Sequence, residues 1–107
     1  MSKILVIAEH DGSTLNQATA RAVTCAKQIP GAHVTVAVFA ADPGAVAAAA
    51  ASLAGVDAVV TVTNAANAQP LAAVLAPQVV ALAAGYTHVL AASTAFGKDL
   101  LPRVAAL

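Results

Sequence analysis

Four short apolar runs, three of them rich in β-branched residues and the fourth weaker, alternate with four helical stretches along the whole chain of 107 residues. Near-continuous apolar runs of this length are typical of parallel strands that are covered on both faces. Strands that alternate with helices over short connections build a parallel sheet with right-handed crossovers. The pattern therefore predicts strands at residues 3–8, 33–39, 58–63 and 88–92.

The first helix is predicted between the first two strands. Thr14 and Gln17 have the T-x-x-Q spacing of a capping box, and Pro30-Gly31 ends the helix. An apolar stripe at helical spacing predicts its buried face: Leu15, Ala18, Ala22, Cys25 and Ile29. We therefore expect Cys25 to be a buried small hydrophobe.

The other helices have similar boundary signals. The second is predicted to begin at Asp42-Pro43 and to end near Leu53, before Gly55. The third is predicted over about residues 70–84, and we expect Pro77 inside it to kink or split it. The last is predicted to begin near residues 98–99, with Pro102 in its first turn.

These elements predict an α/β fold: a three-layer αβα sandwich around a parallel, doubly wound sheet of Rossmann-like or adenine-nucleotide-hydrolase-like type. The order in which the strands pair is not readable from the sequence; the commonest order, 3-2-1-4, would place residues 9–12 and 93–98 at a topological switch point. Since four parallel strands leave an edge strand uncovered, we expect residues 1–107 to form one α/β domain whose sheet is incomplete: it is either a fragment of a longer protein, or a partner supplies the missing strands.

Composition excludes several classes of protein. Hydrophobic residues make up 60% of the chain and charged residues 9%, which excludes intrinsic disorder. The formal net charge is zero and no basic stripe exists, so we expect no nucleic-acid partner. Polar residues and prolines interrupt the longest apolar window, at Asn67, Gln69, Pro70, Pro77 and Gln78, so we expect no membrane insertion.

A phosphate-binding loop is the first candidate site. Gly97-Lys98 superficially resembles a P-loop, whose pattern is G-x-x-x-x-G-K-[ST]. Ala92 stands at the first glycine position and Asp99 at the Ser/Thr position, so the Mg²⁺-binding hydroxyl is missing. The segment is therefore interpreted as a strand-to-helix turn.

The sequence supports metal binding and nucleophilic catalysis no better than it supports a phosphate-binding loop. The three histidines, His10, His33 and His88, are far apart in the sequence and have no zinc-ligand spacing with the single Cys25. Ser13 and Ser93 lack the G-x-S-x-G nucleophile elbow. We therefore predict no catalytic, no cofactor-binding and no metal-ligating residue in this chain.

Three segments resemble the alpha subunit of electron transfer flavoprotein. Residues 4–11 open the chain as that family does, and residues 67–72 are similar to its segment before the third helix. The most specific segment is residues 93–107, which resembles the family's T-x-x-G-K-x-x-x-P-R-x-A-A-x-L stretch. The likeness covers the whole chain.

The resemblance implies an amino-terminal scaffold and heterodimer contact in an electron carrier, not an enzyme. The family's alpha subunit pairs with a beta subunit, and the full-length heterodimer holds one FAD. It carries electrons from flavoprotein dehydrogenases to a quinone oxidoreductase, a role that includes fatty acid β-oxidation. The implied location is the bacterial cytoplasm. Because the family's FAD-binding residues lie in a carboxyl-terminal domain, this fragment alone is not expected to bind FAD.

Two alternatives remain open at this point. One is a small adenine-nucleotide-binding module of universal-stress-protein type, although such modules carry a Gly-rich phosphate motif near the last strand and this chain has Gly97 alone there. The other is a ligand-free α/β domain that dimerises through its uncovered sheet edge.

Overall fold

The computed structural model describes residues 2–10, 14–41, 44–63, 72–91, 100–102 and 104–105. Strands and helices alternate along these segments, as the sequence predicts. The elements are β1 (Ser2–Ile7), α1 (Ala18–Lys27), β2 (Ala32–Ala40), α2 (Gly44–Ala51), β3 (Ala58–Thr63), α3 (Ala72–Ala83) and β4 (His88–Leu90). Residues 100–102 and 104–105 are also helical.

The four strands form one parallel sheet in the order β3-β2-β1-β4, which is the commonest doubly wound order. β1 pairs on both sides, so that Val6 lies opposite Val36 on one side and Leu90 on the other. β3 has the predicted bounds, whereas β4 contains three residues and ends at Leu90, before the predicted end. The carboxyl ends of β1 and β4 therefore flank the topological switch point.

Alternate residues of the central strands divide the core into two layers, as in a three-layer αβα sandwich. On one face of the sheet, α1 and α2 cover Ile4, Val6, Val34, Val36 and Val38. On the other face, the buried residues of α3 and Leu100 pack against Leu5, Ile7, Ala37 and Phe39. Because both faces are covered, the central strands are apolar at nearly every position.

The start of α1 differs from the capping-box prediction. The helix begins at Ala18, and Gln17 at the N-cap makes no capping bond with its side chain. The Oδ1 atom of Asn16 instead accepts the N–H of Ala18 at 2.8 Å. An Asx-type bond therefore replaces the predicted Thr14 cap, because Asn oxygens readily bond to the backbone two residues ahead.

The prediction that Cys25 is buried is wrong. Cys25 is exposed, and the buried face of α1 consists of Thr19, Ala22, Val23 and Ala26. The predicted apolar stripe left out Thr19 because threonine is polar. Thr19 is nevertheless fully buried, and its hydroxyl accepts a backbone hydrogen bond. A polar residue whose hydroxyl is paired can occupy a core position.

The sequence predicts that Pro77 kinks or splits the third helix, and the structure contradicts the split. α3 is one continuous helix with Pro77 inside it. Proline has no N–H to give to the preceding turn, and the exposed position of Pro77 leaves water available to that turn. The predicted starts at Asp42-Pro43 and Pro70, and the segment from Ala92 to Asp99, lie outside the described residues.

Asp57 links β2, β3 and α1 at the end of the sheet where β3 begins. Its carboxylate accepts the N–H of Val34 at 2.8 Å, and its own N–H donates to the Val34 carbonyl at 2.9 Å. Lys27, in the last turn of α1, places its Nζ 3.6 Å from the same carboxylate. The Val34 N–H, with smaller contributions from Lys27 and His33, holds the pKa of Asp57 below its ordinary value of 3.8.

We expect Asp57→Asn to remove part of the acid sensitivity of the fold. Because the pKa of Asp57 is lower in the folded than in the unfolded chain, its stabilising contribution is complete above the ordinary pKa and is lost as the pH falls below it. Urea unfolding between about pH 2 and pH 6 should therefore show a wild-type advantage over Asp57→Asn that shrinks on acidification. Lys27→Met is the matched control and should reproduce a smaller part of the difference. A difference between wild type and Asp57→Asn that stays constant over this range would contradict the assignment.

Candidate functional site

The β1 side of the topological switch point is the candidate site. β1 ends at Ile7, and the chain continues through Glu9 and His10 to the start of α1. Open α/β sheets bind ligands in the crevice outside the carboxyl ends of their strands, at such a point. Residues 11–13 and 92–99 lie outside the described residues.

Three hydrogen bonds fix Glu9 against the start of α1. Its N–H donates to Oγ1 of the buried Thr19 at 3.0 Å. Its carbonyl accepts the N–H of Asn16 at 2.8 Å, and its Oε2 accepts the Asn16 side-chain amide, also at 2.8 Å. The carboxylate of Glu9 is thus oriented by the same asparagine that caps α1.

His10 connects the loop between β1 and α1 to the neighbouring strand β2. Its backbone forms an isolated antiparallel bridge with Leu15, and its ring Nε2 lies 2.9 Å from the Phe39 carbonyl in β2. A carbonyl oxygen can only accept a hydrogen bond, so Nε2 carries the hydrogen and donates a hydrogen bond to the Phe39 carbonyl. The loop is therefore anchored at both the β2 end and the α1 start.

A pocket of about 390 Å³ opens between these anchored residues. Its described lining consists of Glu9, His10, Thr14, Leu15 and Asn16. The side chains of Glu9, His10 and Asn16 already form hydrogen bonds within the protein, so they shape this pocket through a fixed network. Among the described residues, no group of three His, Cys, Asp or Glu side chains is placed to hold a metal ion.

The structure separates the three histidines that the sequence analysis considered. His10 follows the carboxyl end of β1, whereas His33 and His88 lie near the amino end of that strand, where they pair with Lys3 and Ile4. His88 lies at hydrogen-bond distance from a hydroxyl, with its Nδ1 2.9 Å from Thr87 Oγ1. Four other residues considered lie outside the described segments: Ser13, Ser93, Gly97 and Lys98.

Asn16 and Thr19 are the two structural residues of this site that sequence reasoning missed. An Asn just before a helix is a recognised turn and capping signal, so Asn16 had a detectable signature. Thr19 had none, because a buried threonine in an alanine- and threonine-rich helix looks like a solvent-facing one. Its partner, the Glu9 N–H, is known only from the folded arrangement.

Within the described segments, no helix has the length and apolar character required to cross a bilayer.

Similarity to known proteins covers almost the entire chain. Residues 4–107 match the electron transfer flavoprotein domain family. The chain is 47% identical over 104 residues to the electron transfer flavoprotein subunit alpha of Pseudomonas aeruginosa, covering 97% of this chain and 33% of that protein. It is 38% identical over 105 residues to subunit alpha of Paracoccus denitrificans, covering 97% of this chain and 33% of that protein.

A more distant relative gives the same result. The mitochondrial electron transfer flavoprotein subunit alpha of Dictyostelium discoideum is 34% identical over 113 residues, covering 99% of this chain and 32% of that protein. The chain thus spans about a third of the length of the curated relatives it matches. The resemblance seen in the sequence is confirmed, and the chain belongs to the electron transfer flavoprotein domain family.

Proposed function

We propose that this chain is the amino-terminal part of an electron transfer flavoprotein alpha subunit. In this proposal it is a scaffold and a heterodimer contact in an electron carrier, and it performs no catalysis itself. The observation that carries the proposal is the 47% identity to the Pseudomonas aeruginosa alpha subunit over nearly the full chain. The parallel sheet with both faces covered supports the scaffold role, since such a sheet is rigid.

The flavin, in this proposal, is FAD held by other parts of the full-length heterodimer. A chain that spans about a third of its relatives leaves the larger part of such a subunit to bind a cofactor. FAD supplies the redox chemistry when bound. The role of the present residues is to position neighbouring polypeptide, through a sheet whose loops are anchored by hydrogen bonds at Glu9 and His10.

The proposed partners follow from the family. The beta subunit of electron transfer flavoprotein would form the heterodimer, flavoprotein dehydrogenases would donate electrons, and a quinone oxidoreductase would accept them. Fatty acid β-oxidation is one process that such a carrier serves. We propose the bacterial cytoplasm as the location, supported by the two bacterial relatives.

Heterodimer contact is tested by co-purification. We expect the chain, co-expressed with the beta subunit of Pseudomonas aeruginosa, to elute with it as an equimolar complex in size-exclusion chromatography. The full-length alpha subunit of that organism is the positive control, and an unrelated α/β domain of similar size is the negative control. Separate elution of chain and beta subunit, while the positive control forms a complex, would contradict a contact role for this part of the subunit.

A second candidate function is the binding of an adenine nucleotide. The pocket at the β1 side of the switch point favours it, because its volume of about 390 Å³ lies within the range of small-molecule sites. Titration calorimetry with AMP and with ATP separates the two functions. Micromolar binding that Glu9→Gln weakens at least tenfold would support the nucleotide module. The absence of measurable heat with either nucleotide would argue against it and leaves the scaffold proposal unaffected.

A further inference from the structure

We draw no further inference here: the strongest candidate, the pocket between the end of β1 and the start of α1 that Glu9, His10, Thr14, Leu15 and Asn16 line, belongs to the site already described, and the described residues add no second observation that names a ligand or partner for it.

Discussion

Phe39→Ala is expected to lower the free energy of unfolding by about 3–5 kcal/mol, the usual cost of truncating a buried aromatic side chain. Phe39 is 2% exposed and lies in the core layer beneath α3, in the same cluster as Leu75, Val79 and Leu100. Truncation removes apolar burial and leaves a cavity under the helix. Because the free energy of unfolding of a domain is about 5–15 kcal/mol in total, the variant should lose a large share of its stability.

Urea denaturation followed by circular dichroism measures this loss. Phe39→Leu is the matched control, since it keeps most of the side-chain volume and should cost less than about 1.5 kcal/mol. Neither substitution removes the Phe39 backbone carbonyl, which accepts the hydrogen bond from His10 Nε2. If Phe39→Ala and Phe39→Leu were equally stable, the layer between β2 and α3 would not be packed as described.

Thr19→Val is expected to destabilise the fold by about 1–3 kcal/mol, because it leaves a backbone donor unpaired. The Thr19 hydroxyl accepts the Glu9 N–H at 3.0 Å, and Thr19 is fully buried. Valine has nearly the same shape but no acceptor. The unpaired N–H should also loosen the loop that leads from β1 to α1, so amide hydrogen exchange at Glu9 and Asn16 should become faster than in the wild type.

Thr19→Ser distinguishes the contribution of the hydroxyl to stability from that of the methyl group. Serine keeps the acceptor and loses one methyl, so the free energy of unfolding should fall by about 1 kcal/mol with little change in exchange at Glu9. The opposite ranking, in which Thr19→Val is as stable as wild type and Thr19→Ser is not, would mean that Thr19 acts through packing alone.

The sheet was predictable because its signals are local. Each central strand is a run of apolar residues, and parallel strands covered on both faces require such runs. The order β3-β2-β1-β4 is the commonest doubly wound arrangement, but the sequence alone does not determine it. Predictions on helix faces were weaker, since alanine suits both buried and exposed positions. The misassignment of Cys25 and the omission of Thr19 both arose on α1 for this reason.

The candidate site was less predictable because its bonds are non-local. His10 and Phe39 are 29 residues apart, and their contact depends on the register between β1 and β2. Periodicity carries no information on such a contact. The position of the loop at the switch point follows once the strand order is known, whereas the partners of Glu9 and His10 required the folded arrangement.

FAD binding tests the central claim most directly, because the proposed scaffold role assigns the flavin to other polypeptide. The chain of residues 1–107 is titrated anaerobically with FAD, and binding is followed by flavin absorbance and fluorescence. The full-length heterodimer of Pseudomonas aeruginosa, stripped of its flavin, serves as the positive control. We predict that the control takes up FAD and that this chain shows no stoichiometric binding. Tight one-to-one binding of FAD by the chain alone, with a yellow purified protein, would contradict the account.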